Sequence, residues 1–143
     1  MTDLDYLNAY VAIGQVKARY CRFLDTQDWP AFAALFTEDF TLDVGAGREP
    51  VRGREAAMAM IQASLTGATT AHQIHSPEIE LKGDEAQVIW AMQDRVSWDP
   101  PRHGIAAFTG YGHYHETYRR EGGAWKIAAS RLTRLRIDPD RAP

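Results

Sequence analysis

Two ionisable side chains, Tyr20 and Asp25, lie near the end of a long helical pattern whose other periodic positions are mostly apolar. Five residues separate them, which is about 1.4 turns of a helix with roughly 3.6 residues per turn. Asp25 can therefore reach inward only if the chain bends directly after the helix. A phenol and a carboxylate among apolar residues are groups that acid–base catalysis uses. The alternative for Asp25 is a solvated residue that ends the helix.

His72 is a second candidate for chemistry, on a predicted strand that begins at Thr69. It shares a face with Ile74, whereas His75 takes the opposite face. A single histidine on an apolar face is more often a hydrogen-bonded core residue than a catalyst. Pairing with Asp25 would reduce the cost of burying both groups, and such a pair makes a general base.

Asp94 is a third candidate, because it falls on the apolar face of the predicted strand 86–98. Alternate side chains of a strand share a face. An ionised carboxylate on an apolar face is costly unless it is paired or borders a wet cavity. A bulge that turns Asp94 outward is the alternative. The other residues of this face are Ala86, Val88, Trp90, Met92, Val96 and Trp98.

The strand 107–120 has one aromatic face, which we expect to point inward, and one face with two histidines. The inward set is Phe108, Gly110, Gly112, Tyr114, Glu116 and Tyr118. His113 and His115 then point outward, and the sequence places no further metal ligand near them, so no metal site is predicted.

The last strand changes its alternation part-way. Trp125, Ile127, Ala129 and Arg131 share one parity, and the pattern then switches to Leu132, which indicates a bulge near residues 130–131. Either Arg131 or Arg134 could therefore face inward.

Composition limits the classes of protein to which the chain can belong. Its 143 residues, 45% of them hydrophobic, suit a single domain over residues 1–143 with one core. The formal net charge of −3 and the pI near 5.9 argue against a nucleic-acid partner. Cys21 is the only cysteine, so no internal disulfide is expected. No signal-peptide pattern or membrane-spanning run is present, which predicts a cytoplasmic protein without a membrane partner.

Three helices precede the long strands, which predicts an α+β fold. The first helix covers residues 4–24, the second begins at Asp28 as its N-cap, and the third opens at Gly53. A short strand is predicted at residues 40–44, and turn signals at 82–84 and 121–123 join antiparallel strands. The expected buried positions of the first two helices are Leu4, Leu7, Val11, Val16, Tyr20, Phe23, Leu24, Trp29, Phe32, Leu35 and Phe36.

Four segments together resemble the SnoaL-like branch of the nuclear transport factor 2-like superfamily: RYCRFLDTQDW followed by LFTEDF, then TAHQI, then GHYHETYRREGGAWKI. The resemblance covers residues 4–137. It implies a cone-shaped α+β barrel, in which three N-terminal helices pack on a curved antiparallel sheet. Many chemistries use this scaffold, so the resemblance is specific for fold and not for substrate.

Within that superfamily the motifs are most similar to the group of scytalone dehydratase, bile-acid 7α-dehydratase and hexachlorocyclohexane dehydrochlorinase. The resemblance implies that Asp25 and His72 form a catalytic dyad. Tyr20 and Asp94 match a tyrosine and a second aspartate of the bile-acid enzyme, and Arg131 is matched to the cavity arginine. Gly112 and Tyr114 depart from the scytalone enzyme, which makes scytalone an unsuitable substrate.

The function expected from this resemblance is a cofactor-free lyase that acts on a small, cyclic, apolar substrate. His72 would be the base, Asp25 would orient it, and Tyr20 would donate a hydrogen bond to a substrate oxygen. Asp94 would act as an acid if its surroundings keep it protonated, and Arg131 would orient an anionic group. No metal, nucleotide or flavin motif is present. The substrate-binding residues would be Trp90, Met92, Phe108, Tyr114 and Glu116.

Two other classes of protein are compatible with this sequence. An isomerase of ketosteroid-isomerase or polyketide-cyclase type would rely on Asp94 and Tyr20 and give His72 a lesser role. A non-catalytic binding protein, or an assembly subunit like the β subunit of ring-hydroxylating dioxygenases, would not need a buried Asp25–His72 pair. The mixed outer face of the sheet also predicts a homodimer.

Overall fold

Three helices and six strands follow one another along the chain. The structure, a computed structural model, describes all 143 residues. The helices are Asp3–Asp25 (α1), Trp29–Ala33 (α2) and Arg54–Leu65 (α3). The strands are Phe36–Asp43 (β1), Val51–Arg52 (β2), Ala68–Lys82 (β3), Glu85–Arg102 (β4), Ile105–Glu121 (β5) and Ala124–Arg141 (β6).

The six strands form one open, curved sheet in the order β2-β1-β6-β5-β4-β3. The predicted α+β architecture, with three helices packed on a curved sheet, is confirmed. The sheet is mixed and not purely antiparallel, because β1 pairs with β6 in the parallel direction. The helix α3 and three hairpin-connected strands lie between β1 and β6 in the chain, which gives the length that a parallel pairing requires.

Helix α1 begins with a capping box, in which Thr2 and Asp5 exchange hydrogen bonds. The prediction of a buried stripe fails in the first half of this helix, where Leu4, Leu7 and Val11 are all more than half exposed. Only the part from Ala9 onward is packed against the rest of the fold. Its buried positions are Ala9, Ile13, Val16, Lys17, Tyr20 and Leu24.

The chain turns sharply after Asp25, the last residue of α1. Gln27 adopts a left-handed backbone with φ of 55°, and its side-chain amide donates to the carbonyl of Ala68 in β3. Asp28 caps α2 as predicted, because its carboxylate accepts from the amide of Ala31. The second helix is shorter than expected, since Phe36 already belongs to β1.

Strand β4 keeps the predicted alternation without interruption from Ala86 to Val96, so Asp94 points inward and is buried. The bulge that would have turned it outward is absent, because β4 pairs residue by residue with β5 over residues 85–97. In β3 the register shifts between Ile74 and Pro77, after the segment that carries His72.

Strand β6 contains the bulge that decides which arginine faces inward. Tyr118 pairs with Ile127 and Thr117 pairs with Ala129, so Ala128 is the extra residue. The bulge lies two residues earlier than predicted. The inward positions beyond it are therefore Ser130, Leu132 and Arg134, and the expectation for Arg131 is corrected: Arg131 is exposed on the convex face.

None of the three helices combines the length and the apolar composition that crossing a membrane requires.

Candidate active site

The carboxylate of Asp25 is held by three groups of β3. His72 Nδ1 lies 2.7 Å from Asp25 Oδ1, and the backbone amide of His72 donates to Oδ2 at 2.9 Å. The hydroxyl of Thr70 donates to Oδ1 at 2.9 Å. The turn after α1 thus brings together two residues that lie 47 positions apart in the sequence.

These contacts settle the charge of Asp25 and the tautomer of His72. Burial raises the pKa of Asp25, but the hydrogen bonds from the ring and the amide of His72 and from Thr70 outweigh it, so the pKa is lowered overall. An ionised carboxylate only accepts hydrogen bonds, so Nδ1 of His72 carries the proton. The lone pair of the neutral ring is then on Nε2, which is free to accept a proton.

Asp94 faces the other side of the imidazole ring. Its Oδ2 lies 4.0 Å from His72 Nε2, too far for a hydrogen bond but close enough for charge interaction. Arg134 donates to both oxygens of Asp94, at 2.5 and 2.9 Å. A two-point contact of this kind favours the ionised carboxylate. The expectation that Asp94 is a protonated acid therefore lacks support from this geometry.

Gly110 makes room for the pair of Asp94 and Arg134. It lies opposite Asp94 in the β4–β5 ladder. A β-carbon built at Gly110 would lie closer to Arg134 Nη1 and Asp94 Oδ1 than β-carbons approach other atoms in real proteins. Any side chain at this position would therefore force the guanidinium away from the carboxylate.

A buried group that the sequence analysis did not single out lies beneath the tyrosines. Lys17 forms an ion pair with Glu116 at 2.7 Å, and its ammonium group contacts the rings of Tyr20 and Tyr114. Burial lowers the pKa of Lys17, and the attraction of Glu116 opposes this change. Lys17 follows Ile13 by four residues on the buried stripe of α1, and that spacing was the available signal.

The site is nearly closed to solvent. The side chains of His72 and Asp94 are 7% and 6% exposed, whereas those of Asp25 and Arg134 are 24% and 26% exposed. An apolar cleft of about 310 Å³ lies at the Arg134 side, since the ring of Phe108 is 5.9 Å from the guanidinium. The cleft is lined by Trp98, Arg102, His103, Ile105 and Phe108. Larger clefts near the start of α1 and beside α3 contain none of the dyad residues.

The residues expected to bind substrate divide into three groups. Phe108 lines the apolar cleft. Trp90, Met92 and Tyr114 are buried in the core, where the sulfur of Met92 lies 3.9 Å from Arg134 Nη1. Glu116 is corrected: it accepts hydrogen bonds from Lys17, Tyr118 and Ser130 and has no contact with the cleft.

The convex face of the sheet carries the remaining candidates. His113 and His115 point outward, and their ring centroids are 6.3 Å apart. Arg131 and His115 line a polar cleft of about 420 Å³ on that face. No three His, Cys, Asp or Glu side chains are arranged to hold a metal ion.

Comparison with protein families identifies the fold that carries this site. The family model described as SnoaL-like domain matches residues 5–131, which is most of the chain. The chain belongs to the SnoaL-like family. Its fold is that of the nuclear transport factor 2-like superfamily, as the sequence resemblance implied.

Relatives of this SnoaL-like protein carry names of cyclases and lyases. A Gibberella zeae protein named "Probable cyclase" is 27% identical over 138 residues, which cover 89% of this chain and 91% of the relative. A scytalone dehydratase-like protein from Novosphingobium aromaticivorans superposes with a TM-score of 0.86 at 23% identity, covering 100% of this chain and 94% of its own. A hexachlorocyclohexane dehydrochlorinase from Novosphingobium barchaimii superposes with a TM-score of 0.83 at 18% identity, covering 96% of this chain and 94% of its own. The two structural likenesses establish the fold alone.

The stability contributed by Asp25 should depend on pH. Folding lowers the pKa of this group below its ordinary value of 3.8, so its contacts stabilise the folded state above that pH. The contribution is lost as the pH falls through the folded pKa, where the neutral carboxyl group resembles an amide. The difference in free energy of unfolding between the unmodified protein and Asp25→Asn should therefore shrink below pH 3.8. Urea titrations at a series of acid pH values measure it, and a difference that grows there would contradict the assignment.

Gly110→Ala should destabilise the protein by about 1–3 kcal/mol, the usual cost of forcing an atom into filled space. The same change in an Arg134→Met background should cost less, because the guanidinium is gone and only Asp94 Oδ1, which is then no longer held by Arg134, meets the methyl group. Gly14→Ala is the control, since a β-carbon on that helical glycine contacts nothing and should stabilise by about 0.5–1 kcal/mol. Equal costs of Gly110→Ala in both backgrounds, measured by urea titration, would disprove the role assigned to Gly110.

Proposed function

We propose that this SnoaL-like protein is a cofactor-free lyase that removes a proton next to a carbonyl group with His72 as the base. The observation that carries the proposal is the buried array in which His72 has Asp25 on Nδ1 and Asp94 near Nε2. A general base must be oriented with a free lone pair towards the substrate, and an imidazole whose Nδ1 is held by a carboxylate meets this condition.

The reaction would proceed in two proton transfers. His72 Nε2 takes the proton from carbon, and the electron pair of the C–H bond moves into the carbonyl group to give an enolate. The enolate then re-forms its carbonyl and expels a leaving group from the β carbon. The imidazolium returns its proton to a departing hydroxyl group, which leaves as water. Where the leaving group is chloride, the proton passes to solvent instead.

Two carboxylates stabilise the imidazolium that forms in the first step. Asp25 gains a charged partner across the 2.7 Å hydrogen bond, and Asp94 lies 4.0 Å from the newly protonated Nε2. Both interactions are stronger in the charged state than in the ground state, which is the requirement for lowering a barrier. Arg134 donates to both oxygens of Asp94 and holds the carboxylate in place. Asp94 acts in this scheme through its charge and not as a proton donor.

The substrate would enter from the apolar cleft beside Arg134. Phe108 and Trp98 form an aromatic pair there, with ring centroids 5.9 Å apart. This lining favours a small, cyclic, apolar molecule. Trp98 Nε1 is buried without a hydrogen-bond partner, so an oxygen atom on the substrate would satisfy it. Since His72 is only 7% exposed, side chains between the cleft and Nε2 must move to admit the ring.

A cyclase is the second candidate function, and the relative named "Probable cyclase" favours it. The first proton transfer is the same. The enolate carbon would then attack a carbonyl carbon within the same substrate and form a ring bond, and the imidazolium would protonate the new alkoxide. Elimination releases water or chloride and cyclisation releases nothing, so mass spectrometry of the product separates the two.

An assembly or binding role is less well supported. Such a protein gains nothing from a carboxylate and an imidazole buried together, because apolar residues would fill the space at lower cost. The homodimer and the cytoplasmic location remain predictions. Leu135 and Ile137 of β6 are 75% and 50% exposed, and they are positions where a second subunit would bury apolar surface.

His72→Ala should lower turnover by about 10²-fold to 10⁴-fold, the range for loss of a general base. Asp25→Asn should reduce turnover with little change in KM, because it removes the charge that stabilises the imidazolium. A screen of hydroxylated and halogenated cyclic ketones, without added cofactor, supplies the substrate. Full activity of His72→Ala on that substrate would refute the proposal.

Arg134→Met and Arg131→Met form a matched pair of variants. Both remove one guanidinium from β6, but Arg134 holds Asp94 and Arg131 is exposed on the convex face. Arg134→Met should lower kcat by about 10-fold or more, since Asp94 then loses the contacts that orient it, and Arg131→Met should retain activity. Steady-state kinetics of both variants measure this, and equal losses in the two would contradict the assigned positions.

A further inference from the structure

Lys17 and Glu116 form a charged pair inside the protein that the proposed reaction does not use. The two groups are 2.7 Å apart, and neither side chain is exposed to solvent. Glu116 also accepts hydrogen bonds from the hydroxyl groups of Tyr118, at 2.7 Å, and Ser130, at 3.2 Å. Both oxygens of Glu116 therefore accept hydrogen bonds, and the carboxylate thus fixed holds Lys17 in position.

Two aromatic rings cover the rest of the ammonium group. Lys17 Nζ lies 3.6 Å from the ring centroid of Tyr20 and 3.7 Å from that of Tyr114. The two rings are 5.8 Å apart with their planes at 69°. A desolvated cation is attracted by the negative face of an aromatic ring. Lys17 therefore contacts both tyrosines through the faces of their rings and fixes how the rings are placed.

The same two elements supply the charged pair and the tyrosines. Helix α1 contributes Lys17 and Tyr20, and β5 contributes Tyr114 and Glu116 on one face. Burial is the largest cause that raises the pKa of each tyrosine, and the charge of Asp94 contributes to both. The phenols thus remain protonated.

We propose that Lys17, fixed by Glu116, is a positioning residue that sets Tyr20 and Tyr114 as hydrogen-bond donors to the oxygen on which negative charge develops. The inference rests on the proposed function, which creates an enolate oxygen when His72 removes a proton. Lys17 itself touches no reacting atom.

Stability alone gives no reason for this pair. An apolar pair of similar volume is often as stable as a buried ion pair, because removing two charges from water is costly. The contacts of the ammonium group with two aromatic rings are ones that an apolar replacement could not make. That difference makes the inference testable by replacing both charges together.

The test compares two double variants. Lys17→Met/Glu116→Gln removes the buried pair without leaving one charge unpaired, and Lys82→Met/Glu80→Gln removes an exposed pair of the same type, with side chains 69% and 66% exposed. The buried variant should fold and lose about 10-fold to 10²-fold in kcat, less than loss of an oxyanion donor itself, with KM nearly unchanged. The exposed variant should be fully active. A folded buried variant with unchanged kcat would overturn the proposal.

Kinetics of His72→Ala on the same substrate separate the lyase assignment from the role of Lys17. If His72→Ala is inactive while the buried double variant is fully active, the lyase assignment holds and the role of Lys17 is wrong. If His72→Ala is fully active, the assigned reaction itself is wrong.

If the buried variant does not fold, an NMR measurement on the unmodified protein tests the role of Lys17. The chain has three lysines, Lys17, Lys82 and Lys126, so their ammonium signals can be assigned by NMR. The signal of Lys17 should exchange slowly with water and be shifted upfield by the two rings. Addition of 4-nitrophenolate, as an oxyanion probe, should shift it further and leave the exposed Lys82 unchanged. A Lys17 signal that the probe does not move would overturn the proposal.

Discussion

The hydrogen bonds that β3 donates to Asp25 decide where the first helix ends and what the site can do. A carboxylate at the C-terminal end of a helix is unfavourable, because the helix dipole is negative there. Thr70 and His72 offset that cost with three donors, of which only one is the imidazole. The carboxylate is thereby held against the ring whichever charge the ring carries. The same contacts join α1 to the sheet at the point where the chain must turn.

The interior charges around the tyrosines do not cancel while His72 is neutral. Three carboxylates, Asp25, Asp94 and Glu116, face the space between α1 and the sheet. Arg134 neutralises Asp94 and Lys17 neutralises Glu116. Asp25 has no cationic partner except the imidazole itself. Transfer of a proton from the substrate to His72 therefore gives Asp25 a charged partner and completes the charge pairing of the interior.

Two glycines of β5 are as important to the site as the charged groups, because they have no side chain. Gly110 leaves the space through which the guanidinium of Arg134 reaches Asp94. At Gly112 a β-carbon would collide with the backbone carbonyl of Thr133, where β6 crosses close to β5. The bulge at Ala128 turns Arg134 inward, so an irregularity in one strand and a glycine in its neighbour together position a single arginine.

The sequence by itself determined the inward placement of Asp94, Phe108 and Tyr114, because uninterrupted alternation along β4 and β5 leaves one face for the core. It also determined the cap at Asp28 and, through a family resemblance, the pairing of Asp25 with His72. The strand alternation and the cap are local patterns that depend on residues two to four positions apart, whereas the Asp25–His72 contact joins residues 47 positions apart.

Only the tertiary structure decided which arginine enters the site. A bulge of one residue moves the side chains that follow it to the opposite face of the sheet, and the position of the bulge depends on pairing with β5. It also decided that Leu4, Leu7 and Val11 are exposed, because the helical period is the same whether or not a neighbour covers the face. The burial of Lys17 was also decided by the tertiary structure. A lysine on an apolar stripe becomes stable only when a carboxylate from β5, 99 residues away in the sequence, reaches it.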